Sequence, residues 1–332
     1  MSSPATPSRS PAASAGSFIG TFALILAGIA GLFAIDSVLA EHDRAAGRSE
    51  ARRLYQEGIR LEQQGATVQA VDRLRSAVSA ERQNPLYQRA LANGLLAMGK
   101  ITDAETVLTE RLQHDPADAG ASLLMARALV RQRKLPQAIA FYHRAIYGQW
   151  EDRQLGDALE ARFELVDLLA RENARQELLA ELLPLETQAP GDIATRRRIA
   201  RLFIAAGSPS HAIEIFRDVL HRNPEDGEAY AGIGEAKFQQ GNYRSAQANF
   251  AAAQKLMPGN REVEARLELC REVLALDPTQ RGIGTGEQYR RSQILLQQTM
   301  SALDSCATSV PPANQATVDT ARAIMSQRRK IS

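Results

Sequence analysis

The sequence predicts an all-α fold, a solenoid of stacked helical hairpins. Three observations predict it. Alanine and leucine abound, aromatics make up only 5% of residues, and no run of alternating β-branched residues marks a strand. Small residues and glycines recur at a fixed spacing over most of the chain. Acids and arginines interleave at helical spacing, giving a formal net charge of +2, which reads as solvated helix faces.

Residues 1–17 are rich in Ser, Ala and Pro with one charge, Arg9, a composition that predicts disorder. Phe18 to Ile35, FIGTFALILAGIAGLFAI, carries no charge. As a helix it reaches about 27 Å, close to the hydrocarbon thickness of a bilayer. This predicts a single-pass transmembrane helix over 18–40 that contacts the membrane through residues 18–35. A cleaved signal peptide, with Val38 and Ala40 before Glu41, and a buried core helix stay open. The length of the run and its weakly basic leader favour the anchor. Arg44, Arg48, Arg52 and Arg53 follow it, which by the positive-inside rule places the following domain in the cytoplasm. The segment is nevertheless built like an export signal, which tips the expectation slightly towards a periplasmic or external face.

The spacing is clearest in GIGEAKFQQGNYRSAQANFAAAQKLMP, residues 232–258. Shifted back by 34 residues, Gly234 meets Ala200, Gly241 meets Gly207, Ala246 meets Ala212, Phe250 meets Phe216, and Pro258 meets Pro224. Nearer the start, Gly65, Gly99 and Arg133 keep the same interval. So do Ala70, Ala104 and Ala138, then Leu74, Leu108 and Tyr142, and then Ala77, Arg111 and Ala145; Pro116 closes its unit as the later prolines do. Small side chains such as Gly234, Ala246 and Ala253 set how closely two helices approach, because extra bulk there costs about 1–3 kcal/mol. Glycine supplies the conformation that stops a helix, and proline cannot continue one.

A 34-residue period with this pattern resembles the tetratricopeptide repeat. The resemblance covers residues 51–260 and implies a right-handed superhelix of six helix-turn-helix units: 51–84, 85–118, 119–152, 155–188, 193–226 and 227–260. The fourth departs from the pattern. Ala174 and Leu178 match, but Leu169 stands where the turn glycine belongs, Pro184 interrupts the second helix, and QAPGD (188–192) is an added linker. The first helix of that unit is expected to run long. Residues 261–276 read as a capping helix with a polar face of Arg261, Glu264, Glu268 and Arg271. Residues 277–332 read as a linker, whose GxGxG has neither a preceding strand nor a following lysine, and a loosely attached helical tail. The tail's stripe of Tyr289, Leu296, Met300 and Leu303 is expected to dock on the array or to fray.

No catalytic constellation is present, so the chain is read as a non-enzyme. The five histidines form no HExxH pair, and there is no GxSxG or P-loop. Cys270 and Cys306 form no CxxC; they read as free thiols, with a disulfide open in an oxidising compartment. No metal, cofactor or small-molecule substrate is expected. Nucleic acid is not expected either, since the chain is near neutral and lacks a basic stripe with aromatics.

The resemblance implies a concave groove lined by the first helices, used for extended peptides or chain termini. Its positions here are Arg89, Asn93, Arg127, Arg131, Arg197, Arg198 and Arg201. Arginine's planar fork suits carboxylates. Arg89 with Asn93 is similar to the start of the family's carboxylate clamp, but Leu124 and Gly156 stand where further polar residues belong. The plainer reading makes these arginines a solvated face or pairs them with nearby acids. The expected function is a membrane-tethered scaffold for a protein or peptide partner. The alternatives are a soluble exported adaptor after signal cleavage, and a non-catalytic subunit of an envelope enzyme or assembly complex.

Overall fold

The computed structural model describes residues 45–150, 155–307 and 319–323. The predicted anchor over 18–40 lies outside them. No helix among the described residues is long and apolar enough to cross a membrane.

The chain divides into two compact units, 1–161 and 162–332. In the first, α1 (45–63) and α2 (Thr67–Ala80) form a hairpin, followed by α3 (Pro85–Ala97) with α4 (Ile101–His114) and α5 (Ala119–Arg131) with α6 (Leu135–Tyr147). Helix α7 (Leu155–Arg171) spans the division. The second unit continues with α8 (Arg175–Gln188), α9 (Ile193–Ala205), α10 (Pro209–Arg222), α11 (Gly227–Gln239), α12 (Tyr243–Leu256), α13 (Arg261–Ala275) and α14 (Thr285–Ala307). No strand occurs among the described residues; their one extended pairing is an isolated bridge between Asp118 and Gln149.

Each hairpin turns by the same device. Gly65, Gly99, Gly207 and Gly241 adopt φ of 77°, 73°, 76° and 73°, the left-handed region open to glycine. The next residue's amide then bonds back across the helix end, Ala66 to the Leu61 carbonyl and Lys100 to the Leu95 carbonyl, each at 2.9 Å. This is the Schellman closure. Arg133 takes the same role at φ 60°, without glycine's freedom. The first helices of successive hairpins are capped by Asn84, Asp118, Asp192 and Asp226, whose side chains accept an amide proton from the first turn, and Asn260 caps α13 in the same way.

The small residues face the core. In the first unit Ala70, Ala92, Ala104 and Ala138 are buried around Leu74, Leu95 and Leu108. Burying each such leucine contributes about 1.5–3 kcal/mol. In the second unit a Cβ on Gly234 would lie 2.9 Å from Phe250, and one on Gly232 would lie 2.2 Å from Cζ of Phe216. Both glycines therefore let an aromatic ring reach the helix backbone. Helix α13 covers the end of the stack, setting Val263, Leu267 and Cys270 against Ala246, Phe250 and Ala253. Cys270 is a buried free thiol; the Cys306 side chain lies outside the described ones.

The fourth hairpin corrects the sequence reading in two ways. The turn residue is Asn173, at φ 56°, four residues beyond Leu169. Leu169 is buried, and its carbonyl accepts the closing bond from the Ala174 amide at 2.9 Å. Helix α7 is one turn longer than its counterparts, at 17 residues against 13, which shifts the register. Leu178 and Leu185 thus occupy the places that Ala70 and Ala77 hold in the first hairpin. Second, α8 runs unbroken through Pro184, because Leu182 and Leu185 are buried on either side and hold the helix in place. Within this hairpin Arg162 and Glu181 form a buried ion pair at 3.1 Å.

Candidate functional site

The arginines and asparagine expected to recognise a partner fall in both units, and all are engaged within the chain. In the first unit Arg89 reaches from α3 to Asp118, the cap of α5, with Nη1 3.3 Å from Oδ1. Gly120 makes this possible, since a Cβ there would lie 2.8 Å from Arg89 Nη1. Asp118 is buried; its Oδ1 also accepts the Ala121 amide at 2.9 Å, and its Oδ2 accepts Nε of Arg111 at 2.7 Å. Asn93 donates to Glu62 on α1 at 2.9 Å. Arg127 donates to Glu160 on α7 at 2.8 Å. Arg131 donates to the carbonyl of Leu96 at the end of α3.

The second unit repeats the clasp. Arg197 Nη1 lies 3.3 Å from Oδ1 of Asp226, the cap of α11, and 3.0 Å from Glu228. Asp226 is buried and accepts the Ala229 amide at 2.9 Å. Arg201 shares Glu228 at 3.2 Å and is the most exposed of this set. Arg198 pairs with Asp167, its guanidinium 4.4 Å above the Phe163 ring.

Each unit holds a cavity of about 360 Å³. In the first unit it lies among α3, α5 and the start of α7, with Arg89, Asn93, Arg127, Asp157, Glu160, Tyr55 and Trp150 among its lining residues. Tyr55 stacks on Tyr87 with ring centres 4.9 Å apart, and burial pushes its phenol pKa up. Trp150 is anchored by its indole N–H to the Ala145 carbonyl at 2.7 Å. In the second unit the cavity lies among α9, α11, α12 and α13. Its floor is apolar, with Ile204, Ala231, Phe250, Met257 and Val263. Its rim carries two ion pairs, Arg201 with Glu228 and Arg266 with Glu235. No cluster among the described residues has three groups placed to hold a metal ion.

The sequence reading missed the caps and their arginine clasps. A signal was available: Asn84 and Asp118 stand 34 residues apart, and so do Asp192, Asp226 and Asn260.

The family model for the tetratricopeptide repeat matches residues 95–149 and 203–267. These segments are tetratricopeptide repeats. The matched segments fall on hairpins whose turns, caps and small-residue contacts are described above. Among solved structures, the C-terminal part of a tetratricopeptide-repeat protein from Cytophaga hutchinsonii aligns at 13% identity and TM-score 0.50, over 68% of this chain and 96% of that one. YrrB, described as a tetratricopeptide-repeat protein with an unusual peptide-binding site, aligns at 16% identity and TM-score 0.48, over 59% and 97%. PilW, a type IV pilus biogenesis factor, aligns at 16% and 0.47, over 65% and 98%. At 13% identity the likeness to the Cytophaga hutchinsonii structure shows the fold alone. The comparison with curated proteins returns no match. Tetratricopeptide repeats are in general binding scaffolds, and the fold suggests a protein-interaction scaffold here.

Proposed function

We propose that this chain is a membrane-tethered scaffold that binds a protein or peptide partner on the first helices of its hairpins, with residues 18–35 as its single-pass anchor. The observation that carries the reading is the cavity among α3, α5 and α7, which opens between first helices and gathers Arg89, Asn93 and Arg127. Cavities lined by apolar or aromatic surface with a few fixed polar groups are the usual form of a recognition site. The uncharged run from Phe18 to Ile35 supports the tether. On this reading the repeats face the periplasm or exterior.

The test is crosslinking in native membranes with identification of what is captured. Arg127→Glu and Arg201→Glu are the informative variants, because their partners Glu160 and Glu228 are exposed. Arg89 and Arg197 are unsuitable, since each holds a buried cap and its loss disturbs the fold. Undiminished capture by both variants removes the face from consideration. Release of the chain by carbonate extraction removes the anchor, and protease protection of intact vesicles reports the side on which the repeats lie.

A further inference from the structure

We infer that the cavity among α3, α5 and α7 takes a cationic side chain, a lysine or arginine from an extended segment of the partner. This rests on the scaffold reading and names what that face selects. The residue types at the site, two arginines and an asparagine, suggest a carboxylate ligand, but the geometry reverses the sign. Arg89 and Arg111 are balanced by Asp118 and Asp115, at 3.3, 2.7 and 2.6 Å. Arg127 is balanced by Glu160 at 2.8 Å. Among the described residues, one carboxylate on the cavity wall is left without a cation. It is Asp157, whose carboxylate has no hydrogen bond or ion pair among the described residues. Arg131, one turn beyond Arg127, is turned to the Leu96 carbonyl and does not line the cavity.

The remaining walls suit the same ligand. Tyr55 and Trp150 border the cavity, and aromatic faces attract ammonium and guanidinium groups. A cation beside Asp157 gains a charge-assisted hydrogen bond and displaces none of the existing pairs. An incoming carboxylate meets arginines whose charge Glu160 and Asp118 already offset, so it gains less there than a cation gains beside Asp157.

The experiment titrates the full chain in detergent micelles with three capped, fluorescein-labelled heptapeptides that differ only at the central residue: arginine, glutamine or glutamate. Fluorescence anisotropy reads the affinity. The arginine peptide is expected to bind about tenfold tighter than the glutamine peptide, and the glutamate peptide weakest, as one charge-assisted bond predicts. Asp157→Asn should erase the arginine preference, with helical circular dichroism unchanged. A glutamate peptide that binds as tightly as the arginine peptide overturns the inference. So does an arginine preference that survives Asp157→Asn. Binding that ignores the central residue, with a partner still captured in membranes, defeats this inference and leaves the scaffold reading standing. Failure to bind any peptide or capture any partner defeats both.

Discussion

Replacing Asp118 with alanine removes three interactions through one side chain: the cap on the Ala121 amide at 2.9 Å, the bond from Arg89 at 3.3 Å and the bond from Arg111 at 2.7 Å. Losing an aspartate cap costs about 1 kcal/mol. Removing one partner of a fully buried ion pair costs about 3–5 kcal/mol. Here Arg89 is 13% exposed and Arg111 keeps Asp115, so about 2–3 kcal/mol is the reasonable share. The total is about 3–4 kcal/mol, or a fall in Tm of about 6–16 °C for a domain of this size. Asp226→Ala removes the matching cap, but Arg197 keeps Glu228 at 3.0 Å, so about 2 kcal/mol is expected. Asp192→Ala removes an exposed cap with no arginine clasp and should cost least. Asp118→Asn keeps an oxygen for the Ala121 amide and loses the charge, so it isolates the clasp. Urea unfolding followed by circular dichroism ranks the variants. If Asp118→Ala costs no more than Asp192→Ala, the arginine clasp contributes nothing and the argument fails.

Three further outcomes are expected. Gly232→Ala should destabilise the second unit by about 1–3 kcal/mol in urea unfolding, because its Cβ would sit 2.2 Å from the Phe216 ring. Gly65→Ala meets open space at φ 77° and should cost only the left-handed strain, about 1–2 kcal/mol. Glu287 is held down to about 2, first by its hydrogen bond from Arg290 and then by that from Arg291. Its contribution is therefore present above the ordinary carboxylate range and is lost as pH falls from about 4.5 to about 2; carboxyl NMR should show that midpoint, and Arg290→Ala should raise it.

The hairpins were legible because their spacing is written in residues with one physical role. Gly99 and Gly241 each stand alone as the left-handed turn, and Ala104 and Ala246 each stand at a helix contact, so a fixed interval exposes both at once. The fourth hairpin was misread because other residues fill those roles. Asn173 tolerates the left-handed region and replaces glycine, while Leu178 fills a place alanine holds elsewhere. With neither marker present, α7 could be expected to run long but its extra turn could not be placed, and alignment on Ala174 set the turn four residues too early.

The particular acids that pair with the arginines were hard to name for a different reason, and it lies in the repeat itself. A side chain's position on a first helix can be inferred from the period, but its partner stands on the neighbouring hairpin, about one period away. Arg89 and Asp118 are 29 residues apart, and so are Arg197 and Asp226; Asn93 and Glu62 are 31 apart, as are Arg198 and Asp167. In a stacked array, residues roughly one repeat apart meet across neighbouring first helices. A row of arginines read from one position per repeat therefore carries no sign until the acids one repeat away are counted with it. Counted that way among the described residues, Arg89 and Arg127 of the first-unit cavity are matched by acids, Asp157 is left without a cation, and its charge becomes the quantity to measure.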